Sequence, residues 1–142
     1  MSFCCAALLL YGCGTANPFG TVPVTGTVTL DGAPLDGVTI SFRPSDDGMT
    51  AVGMTDVNGN FVLTTPGAPF GTGAVPGSFT VSFSKLEPVP VTPMGSSDTG
   101  GGMRTPVSLI PTRYNNPQTT GFDPIEVVAR GRNHFEFNLE SQ

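Results

Sequence analysis

VPVTGTVTLDGAPLDGVTISFRP, residues 22–44, sets the rhythm of this chain. Val22, Val24, Gly26, Val28 and Leu30 alternate with Pro23, Thr25, Thr27 and Thr29. Successive side chains of an extended strand point to opposite faces, so this spacing predicts a half-buried strand with a threonine-rich wet face. Asp31-Gly32-Ala33-Pro34 supplies turn chemistry, because Asp-Gly takes positive φ at low cost. Val38, Ile40 and Phe42 then alternate with Thr39, Ser41 and Arg43 as a second strand, and the two strands are expected to pair as a hairpin.

The same period recurs further along the chain. Residues 50–55 form a weaker strand, followed by an Asn58-Gly59 hairpin turn and by Phe61 and Leu63 on one face. After a Gly- and Pro-rich loop at 66–73, Phe79, Val81 and Phe83 alternate with Ser78, Thr80, Ser82 and Ser84 in the clearest strand of all. Two more strands close the domain, at 125–129 and 133–139, the second with Phe135, Phe137 and Leu139 inward. Between Lys85 and Pro124 there is no periodic segment, only seven prolines and the run Gly95–Gly102, so 85–124 is expected to be a long surface loop. No helical period is present. Glycine and proline make up 19 and 14 of the 142 residues and charged residues only 12%, a balance that suits short strands and tight turns. The fold expected is all-β: a seven-stranded antiparallel β-sandwich over residues 22–142 that hides the Val, Ile and Phe stripes sheet against sheet.

The amino terminus follows other rules. FCCAALLL, residues 3–10, is apolar but shorter than the roughly 20 residues that span a bilayer, and it matches the apolar region of a signal peptide. It runs into Leu10-Tyr11-Gly12-Cys13, which resembles the bacterial lipobox. In that motif a Leu three places before the cysteine and a small residue just before it admit the processing peptidase once the thiol carries a diacylglyceryl group. Leu10 and Gly12 take those signal-processing places and Cys13 is the lipidation site, while Tyr11 stands where a small or β-branched residue is usual. Residues 1–12 are thus expected to be a signal peptide and 13–21 a lipidated tether, its GTANPFGT run being short, polar and Gly/Pro-containing. An ordinary secretory signal or an uncleaved apolar tail is the competing reading of the same residues. Gly14, not Asp, follows the cysteine, so no inner-membrane retention signal is evident, and the expected location is the outer membrane or the periplasmic face.

Five runs in order, VPVTGTVTLDGAPLDGVTISFRP, TDVNGNFVLTT, GAVPGSFTVSFSK, LIPTRYNNPQTTGF and NHFEFNLE, resemble the transthyretin-like, carboxypeptidase-regulatory-like domains of small bacterial lipoproteins. The resemblance covers nearly all of residues 22–140. It implies a prealbumin-like sandwich, with transthyretin-like or Ig-like Greek-key connections, and an exported location.

Chemistry is scarce in the remaining inventory. Cys4, Cys5 and Cys13 are the only cysteines, so the domain has no thiol for a disulfide, a zinc site or a nucleophile. His134 is the only histidine and shares the wet phase of its strand with Glu136 and Asn138. Hydrolases of the transthyretin-like family use several histidines and a tyrosine-ended tail, which this chain does not carry. Asp56, Asn58 and Asn60 alternate like calcium ligands, but Gly59 is misplaced for such a loop and Gly67 falls where a bidentate Glu belongs, so a turn is expected and no metal. Asp46 and Asp47 beside Gly48 read as turn residues, and Lys85 stands outside the first strand, where a lysine suited to an isopeptide cross-link would lie. With a net charge of −5, one lysine and five scattered arginines, nucleic-acid binding is excluded. Phe70, Tyr114 and Phe122 are the aromatic residues that fall in loops and are the candidate binding residues, although the favoured role of Tyr114 is to pin the long connection onto the sandwich by burying its ring. The function expected is a non-catalytic, cofactor-free, lipid-anchored module of the cell envelope. It acts in adhesion, assembly or scaffolding, with the membrane and an envelope protein or glycan as partners. The alternative is a small-ligand or carbohydrate-binding lipoprotein.

Overall fold

The computed structural model describes residues 18–88 and 105–142. Eight strands follow one another: β1 (Val24–Leu30), β2 (Ala33–Pro34), β3 (Thr39–Pro44), β4 (Ala51–Met54), β5 (Asn60–Val62), β6 (Gly77–Ser84), β7 (Ile125–Val127) and β8 (Asn133–Leu139). A single 3₁₀ turn, Thr112–Asn115, precedes β7, and the described residues contain no α-helix. The all-β expectation therefore holds, with the strands forming two four-stranded sheets.

The first sheet is built on β1. Strand β8 runs beside its whole length, from Val24 opposite Asn133 to Leu30 opposite Leu139, so β5 and β2 share its other side end to end. The second sheet has the order β4-β3-β6-β7. The chain visits the sheets alternately: β1 and β2 in the first, β3 and β4 in the second, β5 in the first, β6 and β7 in the second, and β8 back in the first.

This path corrects four expectations. The sandwich has eight strands instead of seven and is not purely antiparallel, because β8 pairs with β1 in parallel. A parallel neighbour needs a crossover, and here the excursion through the second sheet returns the chain to the end where β1 began. The strands at 24–30 and 39–44 do not form a hairpin. Asp31 and Gly32 take φ of 50° and 85°, the pair of left-handed residues that a two-residue hairpin turn requires, but the turn folds only Ala33–Pro34 back onto β1. The chain then leaves for the other sheet, where β3 pairs with β4 and β6. Likewise the turn at 56–60 forms, with the Asp56 amide donating to the Asn60 carbonyl at 2.8 Å, yet the flanking β4 and β5 belong to different sheets. Beyond the turn, Val52 and Thr64 exchange reciprocal backbone bonds of 2.9 and 2.8 Å that close that side of the sandwich.

Packing follows the alternation. Val24, Val28, Ile40, Phe42, Phe61, Leu63, Phe79, Val81, Phe83, Phe137 and Leu139 are buried in one apolar cluster. Phe42 sits at its centre, with ring centroids 6.4 Å from Phe61, 6.0 Å from Phe79, 5.9 Å from Phe135 and 6.1 Å from Phe137. Each buried ring of this kind is worth about 1.5–3 kcal/mol in apolar area. Phe135 points inward as expected but is only half-buried, unlike Phe137 and Leu139 further along β8.

Candidate functional site

The three loop aromatics end up on two different sides of the sandwich. On the β6/β8 side, the 3₁₀ turn carries Tyr114 into the gap between the sheets, where its ring is 3% exposed. Its ring packs edge-on to Phe83 at 6.3 Å, and Phe122 lies 5.7 Å from Phe83, 5.4 Å from Phe137 and 6.3 Å from Tyr114. The Tyr114 hydroxyl accepts the Glu140 amide hydrogen at 2.9 Å and an Arg113 Nη2 hydrogen at 2.8 Å. Arg113 Nη2 also donates to the carbonyls of Glu140 (3.2 Å) and Gln142 (2.9 Å). These bonds fasten the long connection to the end of β8. A ring enclosed in this way has no free face for a ligand to stack on; Phe122, half-buried beneath it, has little more.

Phe70 is placed quite differently. It stands 90% exposed at the tip of the 66–73 loop, on the β4/β5 side. The loop is braced: the Gly71 amide donates to Thr64 Oγ1 at 2.9 Å, Thr72 Oγ1 donates to the Pro69 carbonyl at 2.7 Å, and buried Thr65 donates through Oγ1 to the Gly73 carbonyl at 2.9 Å. Beside the ring runs an open groove of about 510 Å³ lined by Val52, Met54, Val62 and Thr64, with Asp56 and Asn60 at its far end. Val52, Met54 and Val62 are all exposed, so this edge carries an apolar patch. Its apolar floor was not legible in advance, because Val52 and Met54 lie in the weakest periodic segment of the chain.

The titratable groups are dispersed. His134 lies exposed on the outer face of the first sheet, its Nδ1 3.0 Å from Thr25 Oγ1. Asp56 Oδ1 accepts the amides of Asn58 and Asn60, both at 2.9 Å, and Asp46 Oδ1 accepts that of Gly48 at 3.0 Å, so these carboxylates hold turns. Lys85 Nζ donates to the Asp36 carbonyl at 2.7 Å and lies 3.2 Å from its carboxylate, which is 63% exposed; this is a surface ion pair, not a buried cross-linking set. Asp31 is the titratable residue that sequence reasoning missed: hydrogen bonds from the Ser141 side chain and amide hold its carboxyl below the ordinary aspartate value. It borders a shallow polar groove formed with Gly32 and residues 138–142. Among the described residues, no cluster of three or more His, Cys, Asp or Glu side chains is arranged to hold a metal ion, and no helix is long and apolar enough to cross a membrane. Leu10, Gly12 and Cys13 lie outside the described residues, as does residue range 89–104 of the long connection. No protein-family model, no curated protein and no solved structure matches this chain.

Proposed function

We propose that the chain is a non-catalytic module of the bacterial cell envelope, held at a membrane by a lipidated Cys13 and acting in adhesion, assembly or scaffolding. Its body, on this reading, is a prealbumin-like domain of the transthyretin-like, carboxypeptidase-regulatory-like kind. The observation that carries the proposal is the Leu10-Tyr11-Gly12-Cys13 motif, which directly follows an apolar leader and stands a short polar tether ahead of β1. The alternation of the chain between two sheets supports the fold assignment, since Greek-key sandwiches are connected in this way. The dispersal of the titratable groups supports a non-catalytic role: the one histidine lies exposed beside a threonine hydroxyl on the outer face of its sheet. The alternative, carbohydrate or small-ligand binding, needs accessible aromatic platforms, and of the three candidates only Phe70 offers one.

Metabolic labelling with a palmitate analogue tests the proposal. The wild-type chain is expected to incorporate label and to fractionate with membranes; the Cys13→Ser variant is expected to do neither. A Cys13→Ser chain as firmly membrane-bound as wild type overturns the anchor.

A further inference from the structure

We propose that the 66–73 loop is the face by which this domain rests on a lipid bilayer, with Phe70 entering the headgroup region and the groove of Val52, Met54 and Val62 beside it. This rests on the lipid-anchor reading of Cys13 and extends it from attachment to orientation.

Tether geometry is the first argument. The chain leaves the sandwich next to this loop: Val22 and Ala74 exchange backbone hydrogen bonds of 2.8 and 3.0 Å, and the Phe19 ring lies beside Gly67, its Cζ 3.9 Å from where a side chain at that glycine would begin. Only four residues lie between Cys13 and Pro18, so the five steps reach at most about 18 Å. An acyl group on Cys13 therefore brings this end of the strands to the membrane. The opposite end, where Gly59 meets Val28, stands a further six strand residues away from Val22, or about 20 Å.

Charge is the second argument. No charged side chain occurs from Gly14 through Leu30 or from Val57 through Ser84, and these are the segments that meet at the loop. Sinking Phe70 to headgroup depth thus strips water from no ion on its own loop. The other loops at this end carry Arg130 and Arg132 in the β7–β8 crossing and Asp46 and Asp47 after β3, so opposite charges balance and a headgroup meets no net repulsion.

The surroundings of Phe70 favour lipid over sugar as the occupant. A sugar site surrounds its aromatic ring with hydrogen-bonding groups, but here Thr64 Oγ1 already accepts the Gly71 amide and Asp56 Oδ1 accepts two amides of its own turn. Proline and glycine of the loop and Val52, Met54 and Val62 of the groove make up most of the remaining surroundings, with Asn60 at the far end, which suits the boundary of acyl chains and headgroups. The bracing bonds hold the loop backbone on the carboxyl-terminal side of the ring.

The mature lipoprotein offers a clean probe, because Cys4 and Cys5 leave with the leader and the Cys13 thiol is acylated, so a Phe70→Cys substitution supplies the sole free thiol. The full chain is expressed as a lipoprotein, labelled there with a polarity-sensitive nitrobenzoxadiazole dye and reconstituted into vesicles of phosphatidylethanolamine and phosphatidylglycerol in equal parts. The expected result is a blue-shifted emission that a nitroxide at shallow lipid depth quenches, while the same dye on a Val57→Cys variant, at the opposite end and 80% exposed in the wild type, shows neither. Mass spectrometry of the same sample reads the acyl group on Cys13. If the chain is acylated and the Phe70 label stays as wet as the Val57 label, the orientation is wrong while the anchor stands. A label that shifts with added oligosaccharide and not with vesicles also overturns it. A chain without the acyl group removes the anchor and this orientation together.

Discussion

The Tyr114 hydroxyl takes the amide hydrogen of Glu140 at 2.9 Å, joining the middle of an irregular connection to the exit of the last strand. Its ring meanwhile fills the gap between sheets beside Phe83 and Phe122. Tyr114→Phe keeps the filling and loses the bond, at an expected cost of about 1 kcal/mol, since Glu140 lies at the surface and water replaces the lost partner. Tyr114→Ala empties the site and is expected to cost about 3–5 kcal/mol. Urea denaturation of the two variants separates the contributions; equal losses would assign the whole effect to the hydroxyl.

The same residue shows what the sequence discloses and what it withholds. Strands β1, β3, β6 and β8 were legible because a two-residue period states which side chains face inward, and Phe42, Phe79, Val81, Phe83 and Phe137 are indeed buried. The period says nothing about which strand lies beside which. Hence the failed hairpin between 24–30 and 39–44, whose local turn signal was real but governed only Ala33–Pro34. Tyr114 and Phe70 both stand in unpatterned segments, where no neighbour at fixed spacing tells a buried ring from an exposed one. Only the fold separates them, one closed beneath Arg113 and the other presented to its surroundings.

Gly26 lies between Phe61 of β5 and Phe135 of β8 in register, and the Phe61 ring and the Phe135 backbone occupy the space a side chain would need. A methyl group there would collide with the Phe135 carbonyl oxygen and come within 2.5 Å of Phe61 Cζ. The backbone clash has no rotamer escape. Gly26→Ala is expected to destabilise by about 3 kcal/mol or more, the upper range for overpacking, and to part β1 from β8. Thermal unfolding reads the loss, and a melting temperature within a degree or so of wild type would contradict this packing.

Asp31 links acidity to the carboxyl-terminal segment. Hydrogen bonds from Ser141 hold its pKa below the ordinary value, and a lowered carboxylate pKa means that the ionised form is the one the fold prefers. That contribution is present above the unfolded-state pKa and disappears as pH falls through the folded-state value. The Ser141 amide resonance is therefore expected to hold steady from neutral pH downward and to move only below the ordinary aspartate range. In Asp31→Asn, which also tolerates the left-handed backbone of this turn, the acid-dependent movement should vanish. A transition at or above the ordinary value would break the link between Asp31 and Ser141.

Asn133 closes the crossing from β7 to β8, and its amide does so with both ends: Oδ1 accepts the Val128 amide hydrogen and Nδ2 donates to the Val128 carbonyl, each at 2.9 Å, with the residue 6% exposed. Replacement by Ala strands a partly buried donor and acceptor together, so a loss of about 2–3 kcal/mol is expected. Asn133→Asp is the more revealing change. An ionised carboxylate still accepts from the Val128 N–H but sets its second oxygen against the Val128 carbonyl, whereas the protonated acid restores the donor. Burial and that carbonyl both favour the neutral form, so the folded-state pKa of the new aspartate rises above its unfolded value. Its contribution is then fully present below the unfolded pKa and lost as pH rises through the folded one. Relative to wild type, the Asp variant should come closest in stability in mild acid and fall behind toward neutral pH. Denaturation midpoints of both proteins across that range decide it, and a deficit that does not grow with pH would show that the Asn133 Nδ2 bond to Val128 contributes nothing to the crossing.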